Sequence, residues 1–91
     1  MKPYTEQQLT EITARVSIEY PGAITNIKNV IAFMGQGETV EAYIEEYIGD
    51  YVKYDQGSLS FTITALRYSG RNPPYGIMEI IESVLKEINI K

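Results

Sequence analysis

Apolar residues recur along this chain every three or four positions, and glycines and prolines interrupt the pattern so that it falls into five segments of helical length. In residues 5–20, TEQQLTEITARVSIEY, the side chains of Leu9, Ile12, Val16 and Tyr20 share one stripe. Thr5 and Gln8 stand there at the spacing of a capping box, in which each side chain satisfies a free N–H at the helix start. Residues 21–35 place Ala23, Ile27, Val30, Ile31 and Met34 on one face, with Gly35 where a left-handed residue ends a helix. The clearest stripe is in residues 73–90: Ile77, Ile80, Ile81, Val84, Leu85 and Ile88, entered through Pro73 and Pro74.

Residues 40–58, VEAYIEEYIGDYVKYDQGS, carry a wider apolar arc. At about 100° per residue, Val40, Ile44, Ile48 and Val52 occupy one half of it, and Tyr43, Tyr47, Tyr51 and Tyr54 occupy the other. Glu46 and Asp50 border the tyrosines, whereas Glu41 and Glu45 lie towards the aliphatic edge. Gly49 inside such a helix costs about 1 kcal/mol relative to alanine, and Gly57 is placed to cap its C-terminus.

Residues 58–70, SLSFTITALRYSG, support two readings. Leu59, Phe61, Ile63 and Ala65 alternate with Ser60, Thr62 and Thr64, which is a strand pattern of strand-forming residue types. A hairpin near residues 50–66 would follow, although residues 50–54 alternate poorly. As a helix, the segment has Ser58 or Ser60 as N-cap and Gly70 as terminator. It would be nearly uncharged, as a short central helix buried on all sides should be. The expected fold is therefore all-α, a compact bundle of about five short helices, with an α+β fold containing that hairpin as the alternative.

A chain of 91 residues has room for one hydrophobic core and is expected to form a single globular domain spanning residues 1–91. With 44% apolar residues it is too hydrophobic for a disordered chain. The sequence contains no cysteine and no histidine, which removes disulfides, thiolate metal sites and the usual general base. A nucleophile would have to be Ser, Thr, Lys or Tyr, and no G-x-S-x-G elbow is present. The carboxylate pairs Glu41/Glu45 and Glu79/Glu82 read as solvated helix faces, without the Asp-rich loop of a cation site. No enzymatic activity, cofactor or metal is expected. Neither a signal peptide nor an apolar run of about 18 residues is present, so the expectation is a cytoplasmic protein without a membrane partner.

Charge sharpens the picture. Residues 38–55 hold six acids against Lys53, a local net charge of −5 within a total of −4. Such a balance disfavours nucleic acid, whose phosphates need clustered Lys and Arg. It favours a basic protein surface. The candidate partner-binding residues are Tyr43, Glu46, Tyr47, Asp50, Tyr51 and Tyr54, because tyrosine gives large contact area and the flanking acids steer a basic partner. A secondary candidate is the proline-stiffened stretch RYSGRNPPYG, with Arg67, Tyr68, Arg71 and Tyr75, opposite in charge to the acidic segment. The functional expectation is a small acidic protein-binding module, inhibitor- or immunity-like; phage-encoded inhibitors of host defence share the same general profile. Self-association into a homo-oligomeric structural or accessory protein is the alternative, and a small enzyme ranks third.

Overall fold

In a computed structural model, residues 2–34, 37–55 and 57–89 are described, residues 88 and 89 by backbone alone. They form five helices: α1 (Glu6–Glu19), α2 (Pro21–Met34), α3 (Val40–Tyr54), α4 (Leu59–Tyr68) and α5 (Ile77–Asn89). The protein is an all-α bundle of five helices, and the described residues contain no strand. Gly35 and the side chain of Ile88 lie outside the described residues.

Helix starts follow local side-chain chemistry. Thr5 Oγ1 accepts from the Gln8 N–H at 3.0 Å and the Thr5 N–H donates to Gln8 Oε1 at 2.7 Å, which completes the capping box of α1. Thr39 caps α3 by accepting from the Ala42 N–H at 3.1 Å. Ser58 caps α4 by accepting from the Phe61 N–H. That cap decides the ambiguous segment. Residues 50–54 stay within α3, so the alternating residues after Ser58 have no neighbouring strand to pair with.

Helix α4 ends in a Schellman motif. The Gly70 N–H donates to the Arg67 carbonyl at 3.0 Å, and the Arg71 N–H donates to the Leu66 carbonyl at 2.9 Å. Gly70 supplies the left-handed residue at φ +84°. The chain therefore turns back over the bundle at Arg71.

Leu9, Ile12 and Val16 of α1, Ala23 and Ile27 of α2, Ile44, Ile48 and Tyr51 of α3, Leu66 of α4, and Ile77, Met78, Ile80, Ile81 and Val84 of α5 form one buried cluster. Each fully buried aliphatic side chain contributes about 1.5 to 3 kcal/mol of transfer free energy, and α5 supplies five members of the cluster. Helix α3 packs against all four other helices.

Three expectations change here. Val52 is 44% exposed, because the core-facing line of α3 runs through Ile44, Ile48 and Tyr51. Val30 and Met34 are exposed and Ile31 is only half-buried, because only the first half of α2 lies against the core. Helix α4 is not buried on all sides: its main packing is on α3 and α5, burying Thr62 and Leu66 while Phe61 stays 67% exposed.

Candidate functional site

The α3 tyrosines do not form one free stripe. Tyr51 is 4% exposed and belongs to the core, which takes it out of any contact surface. Tyr43, Tyr47 and Tyr54 are half-buried and pack against the core edge. The physical reason is the central position of α3: a helix in contact with all four others has most of its apolar arc covered and mainly its polar side left to present.

The acids beside these tyrosines are largely answered within the molecule. The Schellman turn carries the Arg71 guanidinium to Asp50 Oδ2 at 2.6 Å and Glu46 Oε1 at 3.7 Å. The close contact to Asp50 is Coulombic, since no N–H is aligned on that oxygen. The same guanidinium stands 5.4 Å from the centre of the Tyr47 ring, a cation–π arrangement. Two sequence patches of opposite charge thus meet in one chain. Burial pushes the Tyr47 phenol above its ordinary range. Glu45 is engaged as well, by Tyr4 Oη at 2.6 Å and Lys2 Nζ at 3.0 Å, and these hydrogen bonds hold its carboxyl below the usual range. Tyr54 Oη accepts from Ser69 Oγ at 3.0 Å.

Tyr51 raises a different question. Its hydroxyl is buried without a hydrogen-bond partner among the described residues. Burial, reinforced by the charges of Asp55 and Glu82, pushes the phenol up to about 12.

Arg67, Tyr68 and Tyr75 of the secondary candidate are exposed, Tyr68 by 90% and Tyr75 by 82%. Arg71 faces the other way, into the acid cluster. Tyr75 meets Tyr20 edge to face, with ring centres 5.7 Å apart. Two grooves flank this loop. One, of about 350 Å³, lies between Tyr20, Gly22, Ala23, Asn26, Pro74 and Tyr75. The other, of about 170 Å³, runs from Tyr75 and Pro73 to Ile63 and Arg67. Arg67 also borders a shallow depression beside Thr64 and Tyr68, so the surface continues from the loop onto α4.

Sequence reasoning did not pick out Phe61 and Thr64. With Tyr68 they stand at i, i+3 and i+7 on the outward side of α4, and no acid occurs anywhere in that helix. The signal available in the sequence is the absence of charge, which fits a buried helix equally well. It marks an exposed neutral face instead.

Among the described residues, no group of His, Cys, Asp or Glu is arranged to hold a metal ion, and no helix is long and apolar enough to cross a membrane. No known protein family, curated protein or solved structure matches this chain.

Proposed function

We propose that this chain is a small protein-binding module that acts by covering a surface of its partner, as inhibitor and immunity proteins do. The observation that carries this reading is the outward face of α4 with the adjoining loop. Phe61, Tyr68 and Tyr75 are 67%, 90% and 82% exposed on a surface without clustered charge. Large exposed aromatic side chains are the residues from which protein–protein contacts draw most of their binding energy. Tyr68 and Phe61 leave most of their surface in solvent, so the fold draws little on those two rings.

A second reading keeps the acidic side of α3 as the contact, directed at a basic partner. It is favoured by Glu46, whose side chain is 51% exposed despite Arg71, and by Glu38 and Glu41, which are exposed and without an ion pair among the described residues. A photo-crosslinking residue in place of Tyr68 or of Glu46, introduced in cells that naturally make the protein, separates the two. Capture of one defined protein from position 68, lost on Phe61→Ser, supports the α4 face. Capture from position 46 alone moves the contact to α3, and capture from neither position defeats the proposal.

A further inference from the structure

Resting on the reading of α4 as a protein contact, we infer that its occupant is a second copy of this chain, docked with the two α4 helices antiparallel across a two-fold axis at Thr64. Three observations point to a copy.

The first is the order of side chains on the face. Phe61, Thr64 and Tyr68 read aromatic, small, aromatic along one outward line of the helix. A two-fold interface must be self-complementary, each patch meeting itself in reverse. Reversing this line about Thr64 sets Phe61 of one copy against Tyr68 of the other, twice. Thr64 meets its own counterpart at the crossing, where a small side chain lets the helices approach to about 8 to 10 Å between axes.

The second is charge. A chain with net charge −4 repels its copy over most orientations. Helix α4 holds no acid, and its one charge is Arg67 in the last turn. Arg15 and Arg71 are ion-paired within the chain, but Arg67 has no carboxylate within reach among the described residues. Antiparallel docking sets the Arg67 end of each α4 beside the acid-free first turn of the other, so the contact brings no carboxylates of the two copies together.

The third is area. Phe61, Tyr68 and Tyr75 expose most of their surface. At about 150 to 250 Å² for each covered aromatic, they provide roughly 500 Å² of the ~800 Å² per partner in a standard interface. Thr64, Arg67 and the groove wall at Ile63 adjoin them, so a reversible dimer is within reach.

The test uses sedimentation equilibrium of the full chain together with a single introduced thiol, which the absence of native cysteine makes unambiguous. The wild type is expected to sediment as a concentration-dependent dimer. The Phe61→Ser/Tyr68→Ser variant is expected to raise the dissociation constant by about 100-fold or more, since each change occurs twice, with a melting temperature equal to that of the wild type when both are diluted to monomer. Thr64→Cys is expected to form a symmetric disulfide on mild oxidation, whereas Lys53→Cys on α3 is expected not to. A monomer at about 100 μM, or a dimer indifferent to Phe61 and Tyr68, overturns the inference. A monomer that still captures a foreign protein from position 68 overturns the copy as occupant and leaves the protein-binding reading standing. A monomer that captures nothing defeats both.

Discussion

The ring of Tyr20 fills the space that a Cβ on Gly76 would need. Gly76 also sits at φ +90°, where side chains are strained, and its amide lies in the turn that leads into α5. Gly76→Ala therefore meets two penalties at once, backbone strain and overlap with an aromatic ring on a buried seam. The expected loss is about 2 to 4 kcal/mol, read by chemical denaturation. Gly49 is the contrasting site: it lies within α3, is exposed, and has open space around it. Gly49→Ala should stabilise the protein by up to about 1 kcal/mol.

Tyr51→Phe should raise stability by about 1 kcal/mol, because it removes a buried hydroxyl that has no partner while keeping the ring. The alkaline limb carries a second signature. A phenol held at about 12 in the folded chain and near 10 when unfolded favours folding below pH ~10. That contribution disappears as pH rises from ~10 through about 12. Urea midpoints measured across this window should fall less steeply for Tyr51→Phe than for the wild type.

Arg71 joins α3 to the turn after α4 through Asp50, Glu46 and Tyr47. Arg71→Gln should cost about 1 to 2 kcal/mol in low salt and less in 1 M salt, since the guanidinium is partly open to solvent. Arg71→Lys should recover only part of that loss, because an ammonium cannot lie flat over the Tyr47 ring. Tyr47→Ala should likewise lower the melting temperature, because the ring supports the core edge as well as Arg71. Equal stability of Arg71→Gln and the wild type would remove the ion cluster from the account of the fold.

Ile81 and Leu85 share a stripe in the sequence but not in the structure. Ile81 is fully buried and Leu85 only partly so. Ile81→Ala should cost about 3 to 5 kcal/mol and Leu85→Ala about 1 to 2 kcal/mol. Matching losses would place Leu85 deeper than its exposure implies.

The number and limits of the helices were legible because caps and glycine stops are local: Thr5, Gln8, Ser58 and Gly70 act within a turn of their own position. Which face of each helix meets the core was legible only where the apolar stripe is narrow, as in α5. On α3 the arc is wide, and its true centre at Ile44, Ile48 and Tyr51 depends on neighbours distant in sequence. The meeting of Arg71 with Asp50 was hidden for the same reason. Opposite charges about twenty residues apart look like two surfaces until the turn at Gly70 brings them together. Exposure of Phe61 was hidden because lack of charge fits both a buried helix and a face awaiting a partner.

Because α3 touches every other helix, detaching it strips a packing surface from all four of them at once. Opening that frees α3 uncovers the core side of every other helix, and the molecule is expected to unfold as one cooperative unit. Amide hydrogen exchange should show this directly. The N–H groups of Ile44, Ile48 and Tyr51 should exchange only through complete unfolding, with a denaturant dependence equal to the equilibrium m-value. Amides in the exposed second half of α2, around Phe33, should exchange orders of magnitude faster through local fraying.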